Sequence, residues 1–167
     1  ASLSQFFHTG ASVVRAVGQD LHRERLQAIE RENKLQAMRG QADAISGKDA
    51  DPDLMSDLDY YDAFRITSAA KSANETITEL DILATEWTPE HGDFEGYLKA
   101  HIEETYGDGT GDEVYDATYA KRVYEHVESL VRENSLKEHE RAMKLAQRNA
   151  TQLAVQTGAR GDFTGEQ

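Results

Sequence analysis

The chain has 167 residues, a formal charge of −13 from 18 Lys and Arg against 31 Asp and Glu, and no cysteine. This length suits one or two domains with a core, and a hydrophobic share of 38% with only two prolines excludes a compositionally disordered chain. The absence of cysteine excludes a disulfide scaffold, thiol chemistry and cysteine–zinc sites.

The charge is unevenly spread. Residues 1–48 carry a net of +2 and residues 117–167 a net of +1, whereas residues 49–116 carry 19 acidic and three basic side chains, a net of −16. An acidic middle between near-neutral flanks is a poor duplex-binding surface, because phosphate contacts need clustered Lys and Arg. It reads first as a solvated acidic connector, and secondarily as a surface along which nucleic acid slides without sticking. No run of 18 apolar residues occurs, so no helix here spans a bilayer by itself. Beginning at Ala1 without an initiator Met and closing on "GARGDFTGEQ", the chain reads either as a processed product or as a segment of a longer polypeptide.

The first expected element is an amphipathic helix in residues 1–45, organised from about Ser2. Leu3, Phe7, Val14, Val17, Leu21, Ala28, Leu35 and Met38 recur at helical spacing, with Leu26 and Ile29 widening the stripe. The stretch "DLHRERLQAIERENKLQAMR" is dense in straight-chain helix formers and opposite charges, which predicts an exposed helix with a narrow seam. Gly40 either ends this helix or is a weak point that "QADAI" carries on through.

"SGKDADPDLMS" at 46–56 is the clearest break, opening an acidic helical segment over 46–111. Ser56 with Asp59 resembles a capping box. The expected stripe of the second helix is Ile66, Ala70, Ala73, Ile77, Leu80, Ala84 and Trp87, extended backward by Phe64 and Tyr60. Its alanines predict close approach of a neighbouring helix, and its larger residues anchor it at about 1.5–3 kcal/mol for each buried aliphatic or aromatic side chain. In "TPEHGD" either Thr88–Pro89 or Asp93 starts a short helix, with Phe94, Leu98 and Ile102 on one face. "YGDGTGD" then interrupts the chain. The last helix is expected over 112–158, through Tyr119, Val123, Val127, Leu130 and Val131, ending at Gly158. At that length it either kinks near Asn134–Ser135 or projects to pair with the first helix or another subunit. Residues 159–167 form a flexible tail or continue into further sequence.

Tests for chemistry turn up little. No HExxH occurs, and no histidine has a Glu three residues before it, as di-iron bundles require. His101 precedes Glu104 by one helical turn and reads as a surface contact more readily than as a metal pair. Asp108, Thr110 and Asp112 alternate as in a calcium loop, but Glu113 stands where glycine is needed and Tyr119 where the closing Glu belongs. The tyrosines read as packing groups with a wet edge, Tyr115, Tyr119 and Tyr124 being placed to meet Tyr60 and Tyr61. No catalytic, cofactor or metal residue is assigned.

The order of elements resembles the amino-terminal region of the large internal virion proteins, also called ejection or core proteins, of short-tailed bacteriophages. The resemblance covers about residues 11–148, through "VGQDLHRERLQAIERENKL", "DYYDAFRITSAAKSANETITELD", "DFEGYLKAHIEETYG" and "YAKRVYEHVESLVRENSLKEHERAMK". It implies storage inside the virion and release ahead of the genome into the host envelope, in the periplasm or inner membrane. There a conduit forms with other ejection proteins. Portal or tail proteins, passing phage DNA and membrane contact through other regions are the further partners it implies. The lytic domain of some ejection proteins is not visible in this stretch. The non-viral alternative is a helical adaptor or oligomerisation module.

The combined expectation is an all-α fold, an elongated helical hairpin or bundle of three long helices and one short one, forming homo-oligomers. The packing and interface residues are Val14, Val17, Leu21, Tyr60, Phe64, Ile66, Ala70, Ala73, Ile77, Leu80, Trp87, Phe94, Leu98, Ile102, Tyr119, Val123, Val127 and Leu130.

Overall fold

Glycine, proline and aspartate cut the chain into helices, and the computed structural model, which describes residues 3–161 and the side chains of 18–159, contains no strand among the described residues. The helices are α1 (Leu3–Ile45), α2 (Leu58–Glu86), α3 (Phe94–Tyr106) and α4 (Glu113–Gly161), with one 3-10 turn at Pro89–His91.

Helix α1 runs through Gly40 and stops at a Schellman motif, in which Lys48 N–H reaches the Asp43 carbonyl and Gly47 N–H the Ala44 carbonyl. Gly47 takes a positive φ of 74°, a conformation that costs glycine little. Three helix starts use the same device. The Tyr60 amide donates to Asp57 Oδ1 at 3.2 Å, the Gly96 amide to Asp93 Oδ2 at 2.8 Å, and the Val114 and Tyr115 amides to Asp112 Oδ1 at 3.0 and 3.1 Å. The cap of α2 is thus Asp57, not the expected Ser56, because Asp57 stands one residue before the first helical position. Thr88 and Asp93 each start an element: His91 Nδ1 accepts from the Thr88 amide in the 3-10 turn, and α3 follows.

The chain divides into two compact units, Ala1–Ala73 with Thr110–Tyr119, and Asn74–Gly109 with Ala120–Gln167. Helices α2 and α4 each contribute to both units. In the first unit, α2 lies between α1 and the start of α4. Gly40 of α1 sits against the backbone of Tyr60 and Phe64, so close that a Cβ there would fall 2.1 Å from the Tyr60 carbonyl oxygen. On the other side, Arg65 reaches Asp112 and Ser72 Oγ meets Tyr115 Oη at 2.7 Å. Tyr60, Ala69, Ala73, Ala44 and Tyr119 are buried there. In the second unit the buried residues are Thr76, Leu80, Phe94, Leu98, Ile102, Val123 and Val127.

Helix α4 does not end at Gly158 but continues to Gly161, a run of 49 residues that is about 73 Å long at 1.5 Å per residue. Gly158 has nothing within 4 Å of a Cβ position, and no positive φ or packing contact forces a stop there. Asn134–Ser135 lies inside the same continuous helix.

Candidate functional site

In the first unit, polar chemistry concentrates on the two sides of α2. The Tyr60 hydroxyl donates to Asp43 Oδ2 at 2.8 Å and accepts the Asp51 amide at 2.8 Å, tying α1, the following loop and α2 at one atom. Burial first, and then the Asp43 carboxylate, raises the phenol above its ordinary value, so Tyr60 is a neutral donor at neutral pH. Phe64 stacks beside it with ring centroids 6.3 Å apart.

Arg65 lies 4.6 Å over the Tyr61 ring, bonds Asp62 within its own helix, and offers Nη1 to both carboxylate oxygens of Asp112 at 3.2 Å. The Asp62 hydrogen bond raises the guanidinium further above its high ordinary value, against burial. Burial pushes the Asp112 carboxyl up, but the amides of Tyr115 and Val114 and the Arg65 guanidinium outweigh it, leaving the group below its ordinary value. The sign of the pH effect follows. Stabilisation from Asp112 is complete above about pH 4, the unfolded carboxylate range, and is lost as pH falls through the lowered native value. Urea unfolding across acid pH is expected to show a steeper loss for wild type than for Asp112→Asn, and equal slopes would discard this account.

Two acid groups beside the glycine-rich loop before α4, Asp112 and Asp116, are engaged internally. Asp116 accepts from the Thr110 amide and hydroxyl at 3.0 and 2.7 Å and from the Gly111 amide at 3.2 Å, while Asp112 caps the helix. Among the described residues, no three His, Asp or Glu side chains converge as a metal site.

In the second unit, two histidines clip the outer edges of α2. His101 Nε2 lies 2.8 Å from Glu79 Oε2, and His126 Nε2 lies 2.6 Å from Asp81 Oδ1. The expected His101–Glu104 contact is therefore replaced by an inter-helix pair. Trp87 packs edge-on against Phe94 at 5.2 Å and donates its indole N–H to the Gly92 carbonyl at 3.2 Å, while His91 stacks on Tyr97 at 5.1 Å. Beside this aromatic group is an open cleft of about 540 Å³, walled by Trp87, Phe94, Leu130, Glu133, Lys137 and Arg141, with Asp81 at its edge. Its carboxylates are engaged, Asp81 by His126 and Glu133 by Lys137 at 2.8 Å.

Of the residues singled out in sequence, Tyr60, Ala73, Leu80, Phe94, Leu98, Ile102, Tyr119, Val123 and Val127 are buried, and Phe64, Ala70, Ile77, Trp87 and Leu130 are partly buried. Leu21 and Ile66 are exposed, at 53% and 45%, and take no part in the core. Val14 and Val17 lie outside the described side chains. The buried line on α2 is Ala69, Ala73, Thr76 and Leu80, not the stripe through Ile66 and Ala70. Tyr60 and Ala69 stand nine residues apart, half a turn out of phase on a helix of 3.6 residues per turn, so the helix buries opposite faces along its length. Ile66 falls where one face gives way to the other. Of the tyrosines, Tyr115 bonds Ser72, Tyr60 bonds Asp43, Tyr119 is buried, and Tyr124 is exposed. Sequence reading missed Gly40, Asp43, Ala69 and Arg65. The Gly40–Asp43 spacing, one turn apart on a helix, was the available signal.

Two long surfaces remain. Every side chain is exposed from Gly18 to Leu35 and again from 135 to 159, including Leu21, Leu26, Ile29 and Leu35 on α1 and Leu136, Met143, Leu145, Leu153 and Val155 on α4. Among the described residues no helix is long and apolar enough to cross a membrane. Comparison with protein-family models, with curated proteins and with solved structures finds no match to this chain.

Proposed function

We propose that this chain is a structural protein that assembles through helix seams, and that it acts as an internal virion protein ejected at infection to help form a conduit for phage DNA across the host envelope. The assembly half of this reading is supported by the two exposed stretches of α1 and α4, whose Leu, Ile, Met and Val side chains are about half or more open to solvent among the described residues. Helical stability comes mainly from packing an apolar face, and a helix end this long and bare is best stabilised by a neighbour. The viral half rests on the resemblance in the order of helices and connections. Other ejection proteins and portal or tail proteins are the proposed partners, and an elongated hairpin or bundle is the proposed form.

The acidic middle fits passage of DNA without retention, since like charge repels the phosphate backbone. Part of that acidity has a local use as well, in the caps at Asp57, Asp93 and Asp112. Mass spectrometry of purified phage particles and of infected-cell envelope fractions is the test. The chain is expected in both, in multiple copies per particle. A full-length protein absent from particles, or monomeric beside membranes and virion partners, would end the conduit reading. A helical adaptor using the same seams would then take its place.

A further inference from the structure

The exposed side of α1 carries a regular heptad stripe: Leu21, Glu24, Ala28, Arg31, Leu35, Met38, Ala42 and Ile45, alternately three and four residues apart. All eight are exposed, with Leu35 at 49%, Met38 at 58% and Ile45 at 69%. This stripe lies across the helix from Gly40 and Ala44, which face the chain's own core, so a partner can cover it without disturbing that core. Its two polar interruptions are one acid and one base, seven residues apart, and among the described residues neither takes part in an ion pair.

Those interruptions choose the partner and its direction. In a parallel, in-register pair, like positions meet, which sets Glu24 on Glu24 and Arg31 on Arg31 inside the seam. Reversing one helix removes both repulsions. We propose that α1 pairs antiparallel with α1 of a second copy, Leu21 across from Met38 of the second copy, Ala28 across from its Arg31, and Leu35 across from its Glu24. Small Ala28 leaves room for the long arginine stem, whose guanidinium reaches toward Glu24 one layer away. On the flank, the same register places Arg25 beside Glu32 of the second copy, twice by symmetry. The arrangement is two-fold and closed, so a single stripe serves both copies.

The pairing rests on the seam-assembly half of the reading above and not on its viral half. Absence from phage particles would end the viral reading while leaving the pair intact, whereas a monomeric chain would end the pair.

The test is sedimentation and cysteine cross-linking of the full chain, which has no cysteine of its own to interfere. Wild type is expected to be dimeric at about 100 µM, a concentration reached even by weak helix pairs. Glu24→Arg and Arg31→Glu are each expected to weaken the dimer about tenfold or more, and the double exchange to restore it. Under oxidation, a Leu21→Cys chain mixed with a Met38→Cys chain is expected to form the mixed disulfide, and Leu35→Cys alone to form none with itself. All these positions are exposed in the single chain, and circular dichroism checks that each variant stays folded. A monomeric wild type, a Leu35→Cys self-cross-link, or single exchanges that leave the dimer unchanged would each overturn the proposal.

Discussion

Gly40→Ala is expected to cost about 2–3 kcal/mol, although alanine is the better helix former by about 1 kcal/mol. Within a helix, replacing glycine by alanine ordinarily stabilises. Here the added methyl would lie 2.1 Å from the Tyr60 carbonyl oxygen and 3.0 Å from the Phe64 nitrogen. Both are backbone atoms inside α2 and neither can rotate away, so the two helices must move apart. The separation would also lengthen the bond from the Tyr60 hydroxyl to Asp43, now 2.8 Å. Gly18→Ala, on the same helix with nothing within 4 Å, is the control, and should be neutral or gain up to about 1 kcal/mol. Urea midpoints at unchanged slope would measure both. If Gly40→Ala were as stable as wild type, the close crossing of α1 and α2 would be wrong.

That glycine also shows where sequence reading stops. Gly40 has the look of a helix terminator, because helices commonly end at glycine. Here it is a contact point, which depends on a partner twenty residues away. The real terminator is Gly47, and its signal was local: a turn-rich stretch around Pro52 follows it. The breaks before α2, α3 and α4 were legible for the same reason, being written in Gly, Pro and Asp within a few residues. The aromatic group at Trp87 and Phe94 was legible too, since only the short 3-10 turn separates the two rings. What escaped was long-range and directional. His101 could find Glu104 on its own helix or Glu79 on another, and only the helix crossing decides. The shift from Ala70 to Ala69 is one residue, yet it rotates the buried line by 100° on the helix.

The acidic middle segment shows a comparable mixture. In the sequence it is a block of charge, and charge alone suggests repulsion or solvation. In the structure several of its aspartates are fixed by backbone amides, and Asp112 joins a cap to the Arg65 pair. Capping explains why aspartate, more than glutamate, punctuates the connections, since its shorter side chain reaches the amides at a helix start. The exposed carboxylates outside these caps contribute to the negative outer field of the chain.

The other large effect is expected from Leu98→Ala, at about 3–4 kcal/mol. Helix α3 has only 13 residues, too few to be stable in isolation, and it presents three buried side chains, Phe94, Leu98 and Ile102. Leu98 is the middle one and fully buried. Truncating it removes the transfer gain of the missing carbons and leaves a cavity that its neighbours cannot fully close. The polar clip from His101 to Glu79 is then left to hold the helix at a partly exposed site, where such a side-chain contact contributes about 1 kcal/mol at most. Hydrogen exchange should therefore accelerate throughout α3 in the variant, with α1 protection near Ala44 little changed. Leu136→Ala is the matched control, a residue of the same chemistry that is 66% exposed on α4, expected within about 0.5 kcal/mol of wild type. Equal losses from the two leucines would show that the short helix does not dock through Leu98, and that the second unit owes its stability to surfaces now assigned to solvent.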